Sequence, residues 1–159
     1  MEVLKYLMMT ILPVAALFIC KRYASFVDSL VAREEAYLSF LHHIERRVGG
    51  YLTPPERLGE GFDDSALSEM LKGLASGMSL AEAYRKFGGE VSVSADEILM
   101  ELFSDFGKGD VSLEIRRVQE AAEKLSKAID AAKANGEKQK RVCSAVAPAV
   151  IIGIIIWMI

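Results

Sequence analysis

Cysteine, histidine and tryptophan are scarce: two, two and one among 159 residues. Cys20 and Cys143 both lie in apolar ends of the chain, so the middle has no disulfide framework and no cysteine spacing fit for a metal. Each sits close to a run of basic residues, which puts the two at a similar level. They read as small hydrophobic residues on a reducing side, with a disulfide between them conceivable. His42 and His43 are adjacent on a helical stretch, point in different directions, and cannot chelate one ion together. Glu35 and Glu45 do not complete a ligand set around them. An excess of either charge sign is also missing, with 19 basic against 22 acidic side chains. That argues against a nucleic-acid binder, which carries a large basic surplus. No phosphate loop, dinucleotide fingerprint or nucleophile elbow occurs. Phe106-Gly107-Lys108-Gly109-Asp110 looks like a fragment of a phosphate loop but lacks the first glycine and the Ser or Thr after lysine, so it reads as a turn. The carboxylates are scattered beside basic residues at solvated-face spacing, and no pair stands out as general acid and base. The expectation is a protein without catalytic residues, metal or cofactor.

Long apolar runs are present, one at each end. Val142 to Ile159 is uncharged; as a helix it measures about 27 Å against the ~30 Å hydrocarbon core of a bilayer. Pro148 and Gly153 suit a membrane helix better than a soluble one, and Trp157 is an interfacial aromatic. Val3 to Cys20 is interrupted by Lys5, near enough to the terminus to snorkel, and contains Pro13. A cleaved signal peptide is the rival reading of this segment. It lacks a small-x-small site after the apolar run, where Lys21-Arg22 stands instead. The organisation expected is a transmembrane helix at 1–20, a helical domain at 21–141 and a transmembrane helix at 142–159. Lys21, Arg22, Lys138, Lys140 and Arg141 all flank the middle domain, which the positive-inside rule places in the cytoplasm.

The middle carries helical signals throughout; Val91-Ser92-Val93-Ser94 is its only hint of a strand. A first long helix is predicted over about 22–48 from the stripe Val27, Leu30, Val31, Tyr37, Leu38, Leu41, Ile44 and Val48, ending at Gly49-Gly50. Thr53 with Glu56 fits a capping box that opens a short helix at Pro54. A helix over 64–76 presents Leu67, Met70, Leu71 and Leu74, with Asp63 or Asp64 as cap. Ser79 with Glu82 and Ser94 with Glu97 form two more capping boxes. The second of these helices carries Ile98, Leu99, Leu102, Phe103 and Phe106, and Gly107 to Gly109 breaks it. The last helix starts near Asp110 or Ser112. Its apolar positions Val111, Ile115, Val118, Ala122, Leu125, Ile129 and Ala132 alternate in steps of four and three, a heptad seam of about three repeats. The seam can pair within the chain, the reading favoured here, or between chains. Asn135-Gly136 is a place for fraying or a kink; otherwise the helix runs on into the second apolar end.

A first helix that leaves a membrane and a last one that returns to it are antiparallel. The fold class expected is therefore all-α: a long antiparallel helical hairpin, short helices packed at its distal end, and a transmembrane helix at each terminus. The loop of residues 49–62, with Tyr51, Leu52 and Phe62, is either an exposed contact site or packing for the turn.

Three stretches carry a family resemblance. Ile44-Glu45-Arg46-Arg47-Val48-Gly49-Gly50-Tyr51-Leu52-Thr53-Pro54-Pro55-Glu56-Arg57-Leu58 resembles the E-x-x-I-x-x-G-x-T-P-L-x-E-A-L stretch of the stage III sporulation protein AB family. Gly77-Met78-Ser79-Leu80-Ala81-Glu82-Ala83-Tyr84 resembles its small-S-L-x-E-A-W stretch, and Leu102 to Asp110 its L-x-x-F-G-x-x-L-G-x-S-D turn. Pro55 and Arg57 depart from the pattern, and the turn after Phe106-Gly107 is shorter. The family is similar to the cytoplasmic domain of the platform protein in type II secretion and type IV pilus machines. The resemblance implies a non-enzymatic platform or scaffold in a secretion-like channel between mother cell and forespore, in the outer forespore membrane. Its implied partners are a cytoplasmic motor ATPase and other membrane proteins. Glu45, Leu52, Thr53, Pro54, Glu56, Ser79 and Glu82 become candidate contact residues, although Thr53, Glu56, Ser79 and Glu82 also have work as helix caps. The alternative is a generic membrane-anchored coiled-coil scaffold that self-associates.

Overall fold

The computed structural model describes residues 2–50, 54 and 57–158, with the side chains of 2–10, 12, 13, 16, 49, 50, 146–152 and 154–158 outside the description. The described residues form five helices and no strand: α1 (Glu2–Gly50), α2 (Ser68–Ala75), α3 (Leu80–Phe87), α4 (Val93–Asp105) and α5 (Val111–Met158). The protein is all-α, as its periodicity predicts. Helix α1 runs unbroken through Pro13, and α5 runs on through Asn135-Gly136 without a break. The chain divides into two compact units, residues 30–131 and residues 1–29 with 132–159.

The larger unit owns the core. On α1 the buried face is Tyr37, Phe40, Leu41, Ile44 and Val48, and on α5 it is Val118, Ala121, Ala122, Leu125 and Ile129. These are steps of three and four, one stripe of an α-helix turned inward. Most of the heptad seam is thus consumed inside this unit. Its α1 and α5 portions run in opposite directions: Glu45 meets Gln119, and a groove beside them pairs Leu38 and His42 with Ala122 and Ser126. Tyr37, Tyr84 and Phe103 form an aromatic knot, with ring centroids 5.5 Å apart for Tyr37–Tyr84 and 5.4 Å for Tyr84–Phe103. Such edge-on pairs add to the burial of the rings themselves.

Several expected boundaries move. Helix α2 is shorter than the span 64–76, because Asp64 closes a turn rather than capping a helix. Its side chain accepts the Ala66 N–H at 2.8 Å and its carbonyl accepts the Leu67 N–H at 3.2 Å, so the helix starts at Ser68. Gly77, at φ +90°, ends it with the Met78 N–H on the Gly73 carbonyl, the left-handed stop that glycine permits. The cap of α4 is Ser92, not Ser94: its hydroxyl accepts the Ala95 N–H at 3.3 Å. The hint of a strand at 91–94 is therefore the entry to a helix. Of the short helix predicted from Pro54, the described residues show a 3-10 turn at Arg57, whose N–H donates to the Pro54 carbonyl, followed by turns in which the Glu60 N–H meets Arg57 O and the Phe62 N–H meets Gly59 O; Pro55 lies outside the described residues. Thr53 and Glu56, its expected capping box, lie outside the described residues.

The smaller unit is built from the remaining parts of α1 and α5. A Cβ added to Gly136 would stand 3.1 Å from Val27 Cγ1, so the helices approach closely there. Lys140 Nζ donates to both Asp28 carboxylate oxygens at 2.8 and 3.0 Å. Ile11, Val14, Leu17, Phe18, Ile19, Tyr23, Phe26 and Val142 are exposed. Among the described residues no helix is long and apolar enough to cross a membrane. Most side chains of the two expected spans, 1–20 and 142–159, fall outside the description.

Candidate functional site

The described candidate contact residues, Glu45, Pro54, Ser79 and Glu82, do not share one groove. Glu45 lies on α1 in a shallow groove of about 470 Å³, lined also by Leu38, His42, Gln119, Ala122 and Lys127. Its carboxylate accepts the Gln119 side-chain N–H at 2.7 Å and lies 3.5 Å from His42 Nδ1. The Gln119 hydrogen bond, followed by the His42 contact, holds the Glu45 carboxyl below the usual carboxylate range. Among the described candidates, Pro54, Ser79 and Glu82 do not line this groove. Pro54 is exposed. Leu52, Thr53 and Glu56 lie outside the described residues.

Ser79 and Glu82 form the expected capping box at the start of α3. The Ser79 hydroxyl accepts the Glu82 N–H, and the Glu82 carboxylate accepts the Ser79 N–H at 3.1 Å and hydroxyl at 2.9 Å. The Ser79 N–H, then its hydroxyl, lowers the Glu82 pKa. Reciprocal capping satisfies two otherwise orphaned donors at once. A partner binding here would meet one carboxylate already engaged on its own helix.

In the described part of the loop before α2, residues 57–62, two apolar side chains pack inward, while Tyr51 and Leu52 lie outside the described residues. Leu58 is fully buried, and Phe62 stacks against Phe40 and His43 with centroids 5.3 and 5.4 Å apart. His43 Nε2 meets the Glu60 carbonyl at 3.2 Å, where Arg47 also donates. Burial lowers the His43 pKa, opposed by that carbonyl. The two histidines thus serve separate local contacts. Among the described residues no group of three His, Cys, Asp or Glu could hold a metal ion. The turn at Phe106 to Asp110 has Gly107 at φ +84° and Lys108 paired with Asp105 at 2.9 Å.

Two buried carboxylates escape sequence reasoning, Glu34 on α1 and Glu114 on α5. Glu34 accepts the Ser92 N–H at 2.8 Å, where α4 begins; Glu114 accepts the Gly109 N–H at 2.9 Å, in the loop after α4. Each leaves its second oxygen without a protein partner. Together they tie both ends of α4 to the long helices. The tie is reinforced by Tyr37, whose hydroxyl donates to the Gly88 carbonyl at 2.8 Å, and Tyr84, whose hydroxyl donates to Asp96 at 2.7 Å. Burial raises both phenol pKa values, with the Asp96 hydrogen bond adding to the effect on Tyr84. Both remain neutral donors at physiological pH, so they act here as fixed hydrogen-bonding struts. The sequence did hold a signal: Glu34 occupies the gap between Val31 and Tyr37 in the apolar stripe, and Glu114 the turn before Val118.

In comparison with known proteins, no family model, no curated protein and no solved structure matches this chain.

Proposed function

We propose that this chain is a non-enzymatic membrane platform, a scaffold component of a secretion-like channel between mother cell and forespore. The observation that carries the membrane part is the distribution of exposed apolar side chains. Of the large hydrophobic residues exposed among the described ones, all but Val93 and Leu113 belong to the smaller unit. Exposed apolar side chains gathered in one unit call for a cover, and lipid fits it because α1 and α5 both contain long apolar runs, uncharged at 142–159 and interrupted by Lys5 at 3–20. In this reading each terminus forms a transmembrane helix, and the basic flanks keep the central domain on the cytoplasmic, mother-cell side. The long helices then make an antiparallel hairpin with α2, α3 and α4 at its distal end.

The channel role rests on the resemblance to the stage III sporulation protein AB family. Under it, the helical domain receives a cytoplasmic motor ATPase and neighbouring membrane proteins through the surface of Glu45, Leu52, Thr53, Pro54, Glu56, Ser79 and Glu82. The alternative, a self-associating anchored coiled coil, needs a free seam. Val118, Leu125 and Ile129 are buried in their own unit, which favours the platform reading. The test is affinity capture of the tagged full-length protein from membranes of sporulating cells. Co-purification of a motor ATPase with membrane proteins is expected. Recovery of the protein alone, under conditions that preserve other membrane complexes, would favour the self-associating scaffold.

A further inference from the structure

The two cysteines, 123 residues apart in the chain, meet in the smaller unit. Both line one groove of about 250 Å³ together with Leu17, Val27, Gly136 and Lys140. Neither is disulfide-bonded, and both are partly accessible.

Two further contacts show that this is a register rather than an accident of one rotamer. Val27 lies seven residues beyond Cys20 on α1, and Gly136 lies seven residues before Cys143 on α5. A seven-residue step returns a helix to nearly the same face. The close approach of Val27 to Gly136 is therefore the next layer of the same antiparallel seam, where the missing Cβ lets the backbones draw together. Lys140, between those layers on α5, reaches Asp28, one residue past Val27 on α1, and pairs the two helices there. A disulfide needs its two Cα atoms within about 7 Å and Cβ atoms facing each other. A seam narrowed at a glycine one heptad away supplies the conditions for that approach.

We propose that Cys20 and Cys143 are a paired dithiol site that closes reversibly into an intramolecular disulfide, stapling α1 to α5. The co-reactant is a low-molecular-weight disulfide. One cysteine thiolate attacks it, forming a mixed disulfide and releasing one small thiolate. The thiolate of the second cysteine attacks the protein sulfur of that mixed disulfide and releases the other. Two protein thiols are oxidised, one small disulfide is reduced to two thiols, and the protons from the cysteines end on the released thiolates. Reduction by excess small thiol reverses the sequence. The site depends only on the pairing of the helices, so it stands apart from the platform reading.

The test uses the full-length chain purified in detergent and exposed to oxidised glutathione, followed by intact-mass measurement and maleimide labelling. The expected product is a monomer lighter by two hydrogen atoms, with both sites closed to maleimide until dithiothreitol is added. Cys20→Ser should instead retain one glutathione adduct on Cys143, having lost the thiol that resolves it. Circular dichroism checks that the variant keeps its helical content, and the wild-type mass reads the closure even where the variant fails to fold. Two stable adducts on the wild-type protein, disulfide-linked dimers, or thiols that stay open to maleimide would each overturn the proposal.

Discussion

The same two helices live in two different settings. In the larger unit α1 and α5 turn their apolar residues inward, and Tyr37, Phe40, Leu41 and Ile44 are wholly buried. In the smaller unit the same helices turn apolar residues outward, with Phe18 63% and Ile19 66% exposed. Helical geometry is common to both; the covering is not. One unit contains its own solvent-excluding core, while the described side chains of the other include many exposed apolar ones. The difference teaches that a continuous helix can pass from a self-sufficient fold into a segment whose stability depends on its surroundings.

The sharpest way to break this comparison is to cut one aromatic ring from each setting. Phe40→Ala empties a filled core position and should cost about 3–5 kcal/mol. Phe18→Ala removes an exposed ring and should shift unfolding of the larger unit by no more than about 0.5 kcal/mol. Urea denaturation of the full chain in detergent micelles, followed by circular dichroism, reads both. Equal losses from the two substitutions would mean that the units unfold as one and that the distinction in burial has no energetic counterpart.

A second pair of substitutions sharpens the boundary of the core at α4. Ser92 caps this helix, and Glu34 holds the Ser92 N–H from below. Ser92→Ala should cost about 1 kcal/mol, the usual value of a side-chain cap. Ser94→Ala should cost little, since Ser94 lies past the cap on an exposed face. Thermal unfolding of the two variants side by side decides it, and a larger loss from Ser94→Ala would restore the capping box suggested by Ser94 and Glu97.

That exchange of serines shows how far the sequence could be read. Helical class, the inward stripes and the Ser79–Glu82 box follow from local periodicity and capping, which act within a few residues and leave a direct signature. The cap of α4 was misplaced because two serines fit the pattern. What favours Ser92 comes from Glu34, 58 residues away, and local spacing cannot see such a partner. Glu34 and Glu114 were overlooked for the same reason: a carboxylate in an apolar stripe looks like an interruption until the backbone N–H it receives is known. Asp64 shows the limit from the other side, since the same residue can open a helix or close a turn, and here its carboxylate turns back to Ala66. The contact candidates were the least legible, because caps and binding residues draw on the same polar types. Glu45 keeps an independent setting beside Gln119, whereas Ser79 and Glu82 are accounted for by α3 itself.

The smallest effect is expected at an ion pair of the smaller unit, Asp28 with Lys140, whose side chains are 62% and 46% exposed. Water screens such a pair, and ordering two side chains offsets much of the attraction. A double-mutant cycle with Asp28→Asn and Lys140→Gln should give a coupling of about 0.2–1 kcal/mol that weakens as salt is raised. The pair therefore sets register along the seam more than it adds stability. A coupling above about 3 kcal/mol and indifferent to salt would belong to a pair shielded from water. It would mean that the smaller unit, at the level of Asp28, is covered as thoroughly as the core around Phe40, and the contrast between the two settings would have to be redrawn.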